Sequence, residues 1–309
     1  MRYGIATTLS PLFHTAAAPG ATDQVMEAVE RAWARGARVW PQVQTRPIDI
    51  SWTMSQRSIM FLAIPGWWNV LSMGDRDAKL AALAKPEVRE KLLGGLAAIT
   101  AARGGGMDPA NYLIRDVALE RNRDLVGRTL GDVAEDRGTT AGELLIDLSI
   151  EEELGTWFQR ADIGHSDPEA VGALLAHPLV HVGASDGGAH VGSFATYGDT
   201  GFLLSRYVRE TGALSLEAAV KKITADPCTI WGIPERGQLT EGYAADIVVF
   251  DPDTIDRGPE IASGDFPGGG TRWIRNSVGV DTVVVNGEVT WSDADGYAPK
   301  ARAGVIATA

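Results

Sequence analysis

Asp186 is the residue around which chemistry can be built. It sits in the run Leu179-Val180-His181-Val182-Gly183-Ala184-Ser185-Asp186-Gly187-Gly188-Ala189-His190. The β-branched stretch reads as a buried strand, and the two glycines release the backbone into a turn. A carboxylate at a strand's carboxyl end, in parallel strands flanked by helices, lies on the edge where ligands bind and acid–base groups are placed. Asp-Gly is also among the commonest turn dipeptides, so the same letters describe a plain turn. Around Asp186 the candidate substrate contacts are Ser185, His190 and Arg46. His190 reaches the pocket mouth or lies on a surface loop, and Arg46, past a strand end, offers a planar fork to a carboxylate or stays solvated. His177, beside Pro178, reads as a helix terminator, and His181, inside the strand, as a packed residue. Cys228, the only cysteine, follows a helical pattern and reads as a packing residue rather than a nucleophile.

Positioning Asp186 requires strands that alternate with helices. Residues 3–9 are strand-like, and residues 22–35 repeat Val25, Met26, Val29, Ala32 and Trp33 at helical spacing, with Thr22 or Asp23 to cap the start and Gly36 to close it. Residues 38–47 are a second strand interrupted by proline, which completes a parallel crossover unit. Residues 51–75 are irregular and aromatic, and the pair Trp67-Trp68 either packs a core or lines an apolar pocket. A helical stretch over 76–103 is broken near Pro86, and a strand follows over 111–119. Thr129 with Asp132, and Thr140 with Glu143, mark capped helix starts. After a strand at 156–160, a helix over 168–176 delivers the chain to the central strand, and helices over 200–210 and 215–224 follow Asp186. Beyond Gly237 the texture turns β-rich, with a strand near 245–251 and a hairpin at Asn286-Gly287.

Composition narrows the partners. The chain has 309 residues, enough for one large domain or one plus a small one, and its formal charge of -12 argues against nucleic acid or an anionic membrane as the main partner. A single cysteine excludes an intrachain disulfide framework. No secretory signal and no uncharged run of membrane-spanning length is visible, so the expected location is cytoplasmic.

The block Ser185-Asp186-Gly187-Gly188-Ala189-His190, then Leu216-Glu217-Ala218-Ala219-Val220, then residues 236–251 from Arg236-Gly237 to Ala245-Asp246-Ile247 and Phe250-Asp251, and Val285-Asn286-Gly287, resembles the C-terminal half of amidohydrolase family 3, the D-aminoacylase-like enzymes. Trp40-Pro41-Gln42-Val43 with Arg46-Pro47 resembles a subgroup of it. The resemblance implies an α/β fold: a partial (β/α)8 barrel over residues 1–236 and a small β-sandwich-type module over 237–309. It also implies hydrolysis of a linear amide such as an N-acyl-D-amino acid, with Zn2+ as cofactor. Asp186 would contact the metal and carry a proton from water to the leaving nitrogen, and His14 would be a second metal ligand.

The family's His-x-His pair is absent among His14, His165, His177, His181 and His190. A catalytic zinc needs about three protein ligands plus water, and a full barrel takes about 250 residues. The expectation is therefore a barrel without its first strands, whose open edges are covered by a missing N-terminal half or by homo-oligomerisation. A catalytically silent scaffold and a hydrolase of cyclic imides or ureides are the alternative readings.

Overall fold

The computed structural model describes residues 5–16, 18–103, 107–185, 187–195 and 198–306. β1 (Thr7–Leu9) leads through α1 (Ala21–Ala34) to β2 (Val39–Val43), and the two strands pair in parallel with Thr8 opposite Trp40. Met26 and Val29 bury the inner face of α1. Its start differs from expectation, because Gly20 stands at the N-cap without a side-chain bond and neither Thr22 nor Asp23 caps the helix.

From β2 the chain makes a long excursion through β3 (Ile48–Trp52), α2 (Trp67–Leu71), α3 (Arg76–Ala84), α4 (Pro86–Arg103), β4 (Leu113–Asp116), α5 (Leu130–Arg137), α6 (Ala141–Glu151) and β5 (Trp157–Ile163). Its strands form an antiparallel sheet in the order β3-β5-β4. Residues 51–75 are thus not wholly irregular: Ser51 and Trp52 belong to β3, and Trp67 opens α2. Lys85, with ψ 127°, separates α3 from α4, as the residue before a proline is driven out of helical conformation. Thr140 and Glu143 form the expected capping box of α6. The excursion has its own core around Trp52, Phe61, Trp67, Tyr112 and Phe158. Trp67 is core material, stacked on Phe61 at 4.6 Å, and its Nε1–H donates to the Leu92 carbonyl at 2.9 Å.

α7 (Pro168–Ala176) returns the chain to β6 (His181–Val182), parallel to β2 with Gln42 opposite His181, so the sheet runs β1-β2-β6. Val43, Val171, Leu175 and Leu203 pack between this sheet and its helices. α8 (Asp199–Phe202) continues into a π-helical stretch, Leu203–Glu210, followed by α9 (Leu216–Ile223) and α10 (Ala225–Trp231). Cys228 follows α9, as expected, and lies inside a further helix, α10, half-buried; its sulfur would stand 2.9 Å from a Cβ at Gly237, a packing role.

The remaining strands are β7 (Ile247–Phe250), β8 (Asp256–Arg257), β9 (Ile261–Phe266), β10 (Gly270–Ile274), β11 (Ser277–Val278), β12 (Val280–Val285), β13 (Glu288–Ser292) and β14 (Gly296–Tyr297). Four of them form the antiparallel sheet β14-β13-β12-β7, while β9 pairs with β10 and β8 with β11. Asn286 (φ +48°) and Gly287 (φ +83°) make the tight turn expected between β12 and β13. The fold is α/β. No helix among the described residues is long and apolar enough to cross a membrane.

Candidate active site at the parallel strand ends

The three parallel strands deliver their carboxyl ends to one place. β1 runs into the loop carrying His14, β2 into Gln44 to Pro47, and β6 into Gly183, Ala184 and Ser185. Two main-chain bonds prolong the pairing past the strands: Leu12 N–H to the Gln42 carbonyl at 2.8 Å and Gly183 N–H to the Val43 carbonyl at 3.1 Å. Gln42 ties all three ends together, since its amide donates to Thr8 Oγ1 at 3.0 Å and its Oε1 accepts from Ala184 N–H at 3.1 Å. A Cβ at Gly183 would lie 2.6 Å from Gln42 Oε1, which explains the glycine. Ala184 adopts φ +59°, a costly conformation for a residue with a Cβ, immediately before the Ser185–Asp186 pair.

Asp186, the residue singled out as catalytic, lies outside the described residues. Its neighbour Ser185 is half-buried; the Ser185 carbonyl accepts from Arg46 Nη2 at 3.2 Å and Oγ accepts from Gly187 N–H at 3.2 Å. Arg46 is 3% exposed. Its Nε lies 3.4 Å from Asp199 Oδ2, and its Nη1 donates to the Pro47 carbonyl at 3.3 Å. Protein oxygens thus already surround the fork that sequence reasoning offered to a substrate carboxylate. Asp199, which sequence reasoning missed, is buried and accepts from Thr45 N–H at 3.1 Å, while Thr45 Oγ1 donates to the Asp199 carbonyl at 2.8 Å. Tyr207 donates to the Thr45 carbonyl at 3.0 Å.

His14 is buried and its Nδ1 has no hydrogen-bond partner among the described residues. Its carbonyl accepts from His165 N–H at 2.9 Å. His165 is 2% exposed, both of its ring nitrogens lack a hydrogen-bond partner among the described residues, and Phe13 meets its ring edge-on at 4.6 Å. Burial, then the neighbouring charges of His14 and Arg46, push the His165 pKa down to about 4. The structure therefore adds His165 to the site. No spacing signal pointed to it, because the contact is made only when β1 and the chain after β5 meet.

His190 is exposed, with φ +54° and its ring stacked on Phe194 at 5.5 Å. His177 ends α7, accepting from Leu179 N–H at 3.2 Å and lying 3.1 Å from Glu30 Oε1. His181 is packed as expected, at 3% exposure, and burial holds its pKa below the usual histidine value.

No group of three or more His, Cys, Asp or Glu side chains able to hold a metal occurs among the described residues. His14 and His165 are two nitrogen-bearing groups where a catalytic zinc needs about three protein ligands. The described donors do not make a zinc site by themselves.

Residues 124–291 match the family model described as "Amidohydrolase family". An N-acyl-D-glutamate deacylase of Alcaligenes xylosoxydans xylosoxydans is 46% identical over 86 residues, covering 28% of this chain and 16% of that protein. A D-aminoacylase of the same organism is 31% identical over 172 residues, or 55% of this chain and 32% of that one. A solved N-acyl-D-glutamate deacylase from Bordetella bronchiseptica, complexed with zinc and a phosphonate inhibitor, superposes with a TM-score of 0.50 at 22% identity, over 95% of this chain and 49% of that chain. The chain spans about half the length of that solved relative, and less of the two sequence relatives.

Proposed function

Because the chain belongs to the amidohydrolase family, we propose that it is the C-terminal half of a cytoplasmic hydrolase that cleaves a linear amide such as an N-acyl-D-amino acid. The observation that carries this reading is the family match over residues 124–291, a stretch that includes Asp186 and the β6 strand end. Amide hydrolysis needs a base that takes a proton from water and an acid that returns it to the leaving nitrogen, and one carboxylate at a strand tip performs both in turn. Asp186 is assigned that role. Arg46 holds the Ser185 carbonyl, and Asp199 faces Arg46 and accepts from the Thr45 N–H beside it. Ser185 and His190 are proposed to contact substrate. Arg46 is the least suited of the three to do so, because its guanidinium is buried against protein oxygens.

The zinc of the solved relative is that protein's. Here His14 and Asp186 are the proposed metal contacts, with the remaining ligands outside this chain's described residues; no step is assigned to a metal. Residues 1–236 are read as the later part of a barrel and 237–309 as a composite β module. Among the described residues no strand pairs with the outer edge of β1 in the sheet β1-β2-β6. A cavity of about 540 Å³ opens beside it, lined by Leu9, Val25, Val29 and Val39. This edge is where the other half of the fold, or a second copy, would add a strand.

The experiment mixes the chain with the N-terminal half of a relative and follows amine release from N-acyl-D-glutamate and its L isomer, and N-carbamoyl amino acid formation from a hydantoin. Release from the D amide, falling about 10²–10⁴-fold in Asp186→Asn, supports the reading. Turnover of the hydantoin alone moves the chain to the ring-opening class. No turnover of any of the three by an assembled complex leaves a scaffold.

A further inference from the structure

The stretch that follows Asp186 is fastened from outside the strands that carry it. Residues 187–195 contain no helix or strand, and Gly187 to His190 are exposed. Yet Val191 O accepts from Trp273 N–H on β10 at 2.8 Å, and Ser193 O accepts from Ser51 N–H on β3 at 2.8 Å. Ala195 N–H donates to Glu260 Oε1 at 2.6 Å. Arg46 grips the Ser185 carbonyl before this stretch, and residues 191–195 are anchored after it.

Glu260 is the unusual member of this set. Its side chain is 5% exposed, and a carboxylate so buried is costly unless paired. Oε2 takes Arg115 Nη1 at 2.5 Å, and Arg275 Nη2 lies 3.9 Å from Oε1. Arg115 also donates to Ser51 Oγ at 3.0 Å, and its guanidinium carbon stands 3.7 Å from the centre of the Trp273 ring, a cation–π contact. Trp273 in turn meets Trp157 of β5 edge-on at 5.1 Å. The ion pair therefore joins the excursion (β3, β4 and β5) to the C-terminal strands at the point where the chain after Asp186 passes between them. A buried ion pair adds little net stability compared with an apolar replacement. What this one does supply is a charged acceptor for a main-chain N–H, a strong and directional bond.

We propose that Glu260 is a positioning residue: through its bond to Ala195 N–H, backed by Arg115, the C-terminal strands hold the segment after Asp186 at the parallel strand ends. The proposal rests on the reading of Asp186 as the working carboxylate. It gives residues beyond 237 a part in the site that their distance in sequence conceals.

Amide hydrogen exchange on the purified chain tests the anchor without turnover. In Glu260→Ala, the amides of residues 191–195 are expected to exchange at least tenfold faster, while those of Leu144, Leu145 and Leu148 in α6 keep the wild-type rate. Glu260→Gln, which retains an oxygen acceptor, restores most of the protection. Unchanged exchange at 191–195 in the alanine variant, or equal acceleration throughout the chain, overturns the proposal. In the assembled hydrolase, Glu260→Ala should lower kcat at constant KM, with partial rescue by Gln; unchanged kcat despite a loosened segment also overturns it. Absence of turnover in the wild-type assembly sinks the hydrolase reading instead, and leaves the exchange result to judge the anchor.

Discussion

The excursion between β2 and α7 closes on itself, whereas the sheets that flank it in sequence do not. Trp52 packs against Tyr112 at 5.0 Å and Phe61 at 5.6 Å, and all three are 2% exposed or less. In the sheet β14-β13-β12-β7 no strand residue is buried, and Val248, Val249 and Val289 are 54%, 47% and 50% exposed. The β1 edge likewise shows Leu9 at 40%. Burial of apolar area is the main favourable term in folding. Apolar burial therefore stabilises the excursion and the core between the parallel sheet and its helices, while the apolar surface available for association lies on the β1 edge and the C-terminal sheet. The family's chemistry is assigned to the junction between these regions.

The contrast breaks first at core residues. Trp52→Ala should cost about 3–5 kcal/mol in urea unfolding, whereas Val249→Ala on the exposed sheet should stay within about 0.5 kcal/mol. Equal losses would mean that the C-terminal sheet is covered in solution. A smaller effect is expected from pH. The unfolded His165 titrates near 6.5 and the folded one near 4, so between these values the unfolded chain binds more protons and stability falls on acidification. The loss is on the order of 3 kcal/mol by pH 4. His165→Gln should flatten that part of the unfolding profile, and an unchanged profile would place the acid sensitivity elsewhere. The smallest effect on stability is expected from Leu9→Lys, within about 0.5 kcal/mol. The same substitution should abolish any concentration-dependent association seen by sedimentation velocity, because a charge on an edge strand blocks strand addition.

Local signals were legible in the sequence. The Thr140 and Glu143 capping box, the helix break at Pro86 and the Asn286-Gly287 turn each depend on neighbouring residues, and each stands where expected. Contacts between distant segments were not. β3 follows Pro47 directly and pairs with β5, with Ser51 opposite Gln159, so its five residues gave no strand signal that could be told from the surrounding aromatic loop. α10 was hidden because Pro227 lies in its first turn, where proline is tolerated. Gln42, Asp199 and His165 enter the site only through strand pairing and chain return. Asp186 stands out by its motif alone and lies outside the described residues; beside it in sequence the structure shows Ser185 held by Arg46 and Ala195 held by Glu260.

The central claim is that the carboxylate of Asp186 works once the open side of the parallel sheet is covered. Its most direct test is the rate of N-acyl-D-glutamate hydrolysis by the chain alone and after addition of a relative's N-terminal half. Release of amine only in the mixture, lost in both Asp186→Asn and Leu9→Lys, is the expected result. Equal turnover by the isolated chain, or full activity of the mixture with Asp186→Asn, would contradict it.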